Sequence, residues 1–206
     1  MTIRLHRNDL PDAADLGPVV AIDTETLGLE VGRDRLCVVQ LSPGGGAAEV
    51  VQIEAGQRRA PNLERLFADA NVLKLFHFGR FDIGVLTHAF AVMPAPVFCT
   101  KIASKLARTY TDRHGLKDLT RELLGVDLSK QQQSSDWGAE TLSEAQLAYA
   151  ASDVLYLHAL KDKLEAMLAR EGRDGLARAA FAYLPDRVRL DLAGFAAMDV
   201  FSHAYP

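Results

Sequence analysis

Asp23-Thr24-Glu25 follows directly on the apolar run Val19-Val20-Ala21-Ile22. That run reads as a buried strand, and in an extended chain residues i and i+2 project from the same side. The two carboxylates therefore converge at the strand end. Two anions side by side in a partly dry place are costly unless cations neutralise them. Hard divalent ions with oxygen ligands are the natural counterions. A plain strand end with two solvated acids would show the same spacing, so this motif decides nothing alone.

A second acid, Asp82, lies in His77-Phe78-Gly79-Arg80-Phe81-Asp82-Ile83, where a strand end passes into a helix. An Asp in the first turn of a helix is favoured by the positive helix terminus, whatever else it does. His77 fits either a substrate-facing role or a satisfied core histidine. The third element is Tyr149-Ala150-Ala151-Ser152-Asp153. On a helix i and i+4 lie one turn apart on one face, so the phenol and the carboxylate address one point. The small residues between them permit close packing on a sheet. Each signal is weak by itself. Their order is far more specific: D-x-E on a first strand, an Asp after a later strand, then Y-x-x-x-D on a late helix.

Three distant segments must then be gathered by the fold. Residues 36–41 and 49–53 read as strands separated by the turn Pro43-Gly44-Gly45-Gly46, and with residues 19–22 they predict an antiparallel meander. The pattern then alternates. A helix is expected over 62–70, a strand over 72–77, a helix over 81–90, and a short strand at Val97-Phe98. Helices follow through Ile102 and Leu106 and over 116–124, the second stopped by Gly125. Ser143 and Gln146 form an S-x-x-Q capping box, so a long helix starts near Glu144 and runs to about Arg170. The expected fold class is α/β, a mixed sheet flanked by helices. Residues 1–18, with Pro11, Gly17 and Pro18, read as a lead-in, 19–170 as the main domain, and 171–206 as an extension that covers the core or faces another subunit.

The chain has 206 residues, of which 49% are hydrophobic and 24% charged, which suits one domain with an appendage and excludes low-complexity disorder. Lys and Arg number 23 against 27 Asp and Glu, a net charge of −4. This argues against a protein that holds long nucleic acid through phosphate charge alone. A nucleic-acid substrate would have to be short, or bound cations would have to neutralise its phosphates. No run of about 18 apolar residues exists and residues 1–10 lack a signal core, so a soluble, cytoplasmic protein with no membrane association is expected. Cys37 and Cys99 each sit in an apolar stretch and read as two buried thiols in a reducing compartment.

The set Asp23, Glu25, Asp82, Tyr149 and Asp153 resembles the DEDD exonucleases of the tyrosine subtype, 3′-5′ exonucleases with an RNase H-like fold. The segments 99–104, 115–119, Ser135-Asp136-Trp137 and 149–157 are similar to RNase D, and the resemblance covers about residues 19–168. RNase D continues into helical nucleic-acid-binding domains, whereas this sequence ends first. Phe78 stands where proofreading-type relatives usually carry Asn, and His77-x-Gly79 follows the RNase D style. The length and the segments 109–115 and 130–137 resemble the nano-RNase C family, short RNase D-like oligoribonucleases that assemble as octameric rings.

That resemblance implies a 3′-5′ exoribonuclease that degrades dinucleotides, including linear diguanylate, to nucleoside 5′-monophosphates. It implies two Mg²⁺ or Mn²⁺ ions about 4 Å apart. Asp23 would bridge them, Glu25 and Asp153 would complete the first site, and Asp82 would support the second. A free tyrosine has a pKa of about 10, so Tyr149 orients the attacking water rather than acting as an anion. Thr24 is grouped with the substrate-binding residues, and His77 would approach the substrate sugar. Leu27 and Leu29 follow the first motif closely enough to touch terminal bases, unless they pack in the core. Lys130, Gln133, Ser134 and Ser135 form a polar loop suited to a 5′-phosphate, or a plain solvated loop. Arg108, Arg113 and His114 are further candidates, or surface charge. The rival readings are a general RNase D-like exonuclease trimming longer RNA or DNA and a catalytically silent nucleic-acid-binding module. The complete acidic set argues against the second.

Overall fold

The computed structural model describes residues 1–129 and 131–203. Six strands form one sheet: β1 (Thr2–Arg7), β2 (Val19–Thr26), β3 (Leu36–Gly44), β4 (Ala47–Gln52), β5 (Leu73–Phe76) and β6 (Val97–Cys99), in the spatial order β1-β4-β3-β2-β5-β6. The central β2, β3 and β4 make the expected antiparallel meander. The pairs β1–β4, β2–β5 and β5–β6 are parallel. All strands except β3 therefore run the same way, and their carboxyl ends share one edge of the sheet. Asp23, Glu25 and His77 belong to that edge.

Among the described residues seven α-helices surround the sheet: α1 (Pro61–Ala68), α2 (Gly79–Phe90), α3 (Thr100–Ala107), α4 (Leu116–Leu124), α5 (Glu144–Leu155), α6 (Leu157–Arg170) and α7 (Asp174–Leu190). This is the mixed α/β architecture that the pattern predicted. Register decides which side chains meet which helix. Asp23 lies opposite Gln40 and Glu25 opposite Val38, so these four side chains share one face. Val38 packs there with Val50, Trp137 and Ala150 of α5. Thr24 points to the other face, where α2 lies.

Caps fix the ends of two helices, among them α5, which carries Tyr149 and Asp153. The Ser143 side chain accepts from the Gln146 backbone N–H at 3.2 Å, while the Ser143 N–H donates to Gln146 Oε1 at 2.9 Å. Both halves of the capping box are therefore made, which sets the phase of α5. Gly125, at φ 71°, ends α4 in the left-handed conformation that glycine adopts without strain.

Two features differ from the expectation. Residues 2–7 are not a mere lead-in but the edge strand β1; its side chains are mostly exposed, so it lacks the apolar signature of a buried strand. The helix expected from residue 144 to about 170 is two helices broken at Tyr156, where φ is −102° and ψ −4°. No Gly or Pro marks the break. It arises because α5 packs on β2, β3 and β4 whereas α6 packs on α3 and α4, and because His158 Nε2 donates to the Val19 carbonyl at 3.0 Å. Residues 174–190 form α7, whose Ala177, Phe181, Leu184 and Val188 enter the main core. Helix α6 buries Leu157, Leu160, Leu164 and Leu168 in that same core, each worth about 1.5–3 kcal/mol of transfer free energy. Cys37 and Cys99 are free and buried. Among the described residues no helix is long and apolar enough to cross a membrane.

Candidate active site

The strand β2 presents Asp23 and Glu25 to α5, whose Tyr149 and Asp153 lie one turn apart. One oxygen each from Asp23, Glu25 and Asp153 falls within 4.8 Å of the others. Asp82, in the first turn of α2, is close enough to add its charge to this group. The D-x-E pair, the helix-entry Asp and the Y-x-x-x-D pair are thus brought to one place.

The electrostatics follow from that convergence. Burial first, and then the Asp82, Asp153 and Glu25 charges, push the Asp23 carboxyl well above the usual range. Glu25 is raised to about 9 by burial and by Asp153 and Asp82. Asp82 and Asp153 are each raised to about 7, again chiefly by burial. Hydrogen bonds work against these shifts, from the Thr24 hydroxyl to Asp82 and from the Tyr149 hydroxyl to Asp153. Among the described residues no Lys or Arg takes part in any of the four shifts. Four desolvated carboxyls without a basic partner form an all-oxygen donor set suited to hard divalent cations such as Mg²⁺ or Mn²⁺.

Tyr149 stays a neutral phenol: burial and the Asp153, Glu25 and Asp23 charges raise its pKa above the ordinary value. Its ring packs against Trp137 with centroids 6.0 Å apart. Thr24 is buried, and its hydroxyl donates to Asp82 Oδ1 at 2.7 Å.

His77 is pushed down to about 3 by burial and the nearby Lys101 charge, and is therefore neutral. Its Nδ1 lies 2.9 Å from Thr100 Oγ1, and the single Thr100 hydroxyl proton goes to the Phe76 carbonyl at 3.2 Å. The network thus assigns the imidazole proton to Nδ1 and leaves Nε2 as an acceptor. Next to it, Phe78 has φ 66°, a left-handed backbone that is unusual for a bulky residue. Its ring carries the Lys101 ammonium 4.1 Å from the centroid. Gly79 is required here for space, since a Cβ would stand 2.7 Å from Phe76 Cβ.

Leu27 is 56% exposed and Leu29 is 86% exposed, so neither packs in the core. Leu27 leans over Gly138, where a Cβ would meet its Cδ2 at 2.8 Å. Gln133 and Ser134 are exposed, whereas the Ser135 hydroxyl accepts from Gln146 Nε2 at 3.2 Å. Lys130 lies outside the described residues. Arg108 is fully buried rather than a surface charge. Its guanidinium donates to Ser104 Oγ at 2.9 Å and to the Arg113 carbonyl at 2.8 Å, and pairs with Glu122. It fastens the 109–115 segment.

No motif announced the residues that anchor the loop before α5. Arg35 donates to the Gly138 carbonyl at 3.4 Å, Gln52 to the Ala139 carbonyl at 2.8 Å, and Arg7 to the Glu140 carbonyl at 3.1 Å. Three strand-end side chains thus hold three successive carbonyls beside Trp137.

A mixed sheet of this order, with carboxylates from β2, α2 and α5 meeting at one edge, defines an RNase H-like nuclease domain. The family model described as 3′-5′ exonuclease matches residues 8–169, and the chain belongs to that family. Among its relatives, ribonuclease D of Acidiphilium cryptum is 42% identical over 159 residues, 76% of this chain and 39% of that protein. Ribonuclease D of Gluconacetobacter diazotrophicus is 38% identical over 82% of this chain and 42% of that protein. The chain thus spans about 40% of the length of these curated relatives. The solved structure of Brucella melitensis NrnC bound to pGG is similar over 99% of this chain and 100% of that one, with 64% identity and a TM-score of 0.96. The same protein with bound Mg²⁺ gives a TM-score of 0.95 at 63% identity, with the same shares of both chains covered.

Proposed function

We propose that this chain hydrolyses very short oligoribonucleotides from the 3′ end, chiefly dinucleotides including linear diguanylate, releasing nucleoside 5′-monophosphates. The observation that carries this reading is the convergence of Asp23, Glu25 and Asp153 within 4.8 Å, beside Asp82 and one helical turn from Tyr149. The substrate class is supported by end-to-end likeness to NrnC bound to pGG.

Bound divalent ions would supply the Lewis acidity that makes a water nucleophilic at neutral pH and offsets phosphate charge. Asp23, Glu25 and Asp153 would hold them, with Asp82 as the fourth carboxylate. Tyr149 keeps its proton and donates it to Asp153, so its oxygen is left to accept from the attacking water and orient it. His77 offers Nε2 as an acceptor for a sugar hydroxyl. The exposed Leu27 would lie against a base, and the loop with Gln133, Ser134 and Ser135 would face the 5′ end.

Homo-oligomeric assembly, as an octamer by family resemblance, and a cytoplasmic location belong to the same reading. Assembly is supported by the exposed Leu192, Phe195, Met198, Val200 and Phe201 at the end of the described chain; gel filtration tests it. The substrate test uses 5′-labelled RNAs of two to about ten nucleotides with Mg²⁺, comparing kcat/KM at each length. A steep preference for the dinucleotide is expected. A flat profile, or rates rising with length, would replace this reading with a trimming exonuclease acting on longer RNA or DNA.

A further inference from the structure

Gln40 sits in the middle of β3 with no exposed surface. Among the described residues neither its Oε1 nor its Nε2 has a hydrogen-bond partner. A buried primary amide with all its capacity unused is rare in folded proteins and asks for an explanation. Its surroundings narrow the choice. On β4 it faces Val50, and along its own strand the same-side neighbours are Val38 and Ser42. Val38 and Val50 are apolar, and they pack with Ala150 of α5. The Ser42 hydroxyl is already committed, donating to the Ala47 carbonyl at 2.6 Å and accepting from the Gly44 N–H at 3.1 Å. On β2, Gln40 lies directly opposite Asp23. Directly opposed residues of an antiparallel pair have Cβ atoms about 4.5–5.5 Å apart on one face, within reach of an amide and a carboxylate.

We propose that Gln40 is a positioning residue for Asp23: its amide N–H, unpaired in this structure, would donate to a carboxylate oxygen when cations bind and hold that carboxylate in the orientation that receives them. A carboxylate offers about four lone-pair directions, so one can accept from Gln40 while others face the ions. Gln52 Oε1 is the rival partner, since it is also buried and unpaired and sits diagonally across the sheet on the same face. The inference rests on reading the carboxylates as a divalent-cation site, and the test separates the two.

The experiment compares the full-length wild-type chain with Gln40→Met, which keeps the length of the side chain, and with Gln40→Leu, which is smaller and cannot overpack. Three quantities are read: the metal-free Tm in chelator, the Mn²⁺ concentration that gives half the metal-induced rise in Tm, and kcat and KM on a diguanylate dinucleotide as Mg²⁺ is varied. Both variants are expected to keep or raise the metal-free Tm. They should need about tenfold more Mn²⁺ and lose about tenfold in kcat at fixed Mg²⁺, with KM for the dinucleotide within about twofold of wild type. A wild-type Mn²⁺ response in both variants would overturn the proposal, and so would a lower metal-free Tm with that response unchanged, the signature of a packing role. If the wild-type Tm does not respond to Mn²⁺ at all, the cation site itself fails and the proposal with it.

Discussion

The Thr24 hydroxyl donates a 2.7 Å hydrogen bond to Oδ1 of Asp82 from the face of β2 opposite to Asp23 and Glu25. One strand thus serves the acid cluster from both sides: its odd positions supply two carboxylates and its even position orients a third. Thr24, grouped by sequence with the substrate-binding residues, has its proton committed to this bond.

Thr24→Val keeps the β-branched shape and removes the donor. A buried hydrogen bond to a charged group contributes about 1.5–3 kcal/mol, and about 1.4 kcal/mol corresponds to tenfold in rate. The variant should lose at least about tenfold in kcat/KM, and Thr24→Ser should recover most of it. Wild-type kinetics in Thr24→Val would show that Asp82 needs no such support.

Removing metal should make stability fall as pH rises. Glu25 at about 9 and Asp82 and Asp153 at about 7 lie above their unfolded values, which are near 4. The folded chain then holds more protons than the unfolded one above about pH 4, and that stability is lost as pH rises through about 7 and 9. Lys74, held down to about 8 by burial, opposes the trend only above that value. Thermal unfolding in chelator should therefore give a lower Tm at about pH 8 than at about pH 6, with Mg²⁺ raising Tm more at the higher pH. A metal-free Tm that is flat or rises over this range contradicts the electrostatics of the site.

Asp23→Asn removes one charge from a carboxyl that burial and three neighbouring acids hold well above its usual range. Activity should fall to background at any Mg²⁺ concentration, while the metal-free Tm rises by several degrees because repulsion among buried carboxyls is relieved. Turnover retained at saturating Mg²⁺ would remove Asp23 from the site.

Tyr149→Phe leaves the packing on Trp137 in place and deletes only the hydroxyl. The metal-induced rise in Tm should persist while kcat drops about 100-fold, the lower range for a positioned proton-handling group. A wild-type rate in this variant would end the role assigned to the phenol.

Arg35→Leu tests the loop anchor. It strips donors from the carbonyls of Leu36, Ile53 and Gly138, and leaving such groups unpaired costs about 1–3 kcal/mol. The loop carrying Gln133, Ser134 and Ser135 should loosen, raising KM for the dinucleotide more than it lowers kcat. A loss of Tm with KM unchanged would confine Arg35 to structural support.

Much of the geometry of the candidate site was legible because it rests on local periodicity. Asp23 and Glu25 share a side because strands repeat every two residues, and Tyr149 and Asp153 share a face because helices repeat every 3.6. The Ser143–Gln146 capping box and the Gly125 stop were read from residue types alone, since caps are short-range hydrogen bonds. The alternation of helices and strands after the meander announced a mixed sheet. What the linear order could not tell was which distant groups would face one another. The opposition of Asp23 to Gln40 depends on strand register, and the Thr24–Asp82 bond spans 58 positions. The full burial of Arg108 depends on a loop folding over it, and the break at Tyr156 on two helices serving different surfaces. The edge strand β1 exists because β4 offered it a partner, not because its own sequence insists on extension. Sequence settled the identities and periods of the candidate site groups, which are properties of neighbouring residues. Tertiary packing alone settled their register, partners and desolvation, because those arise between segments that meet only when the core closes.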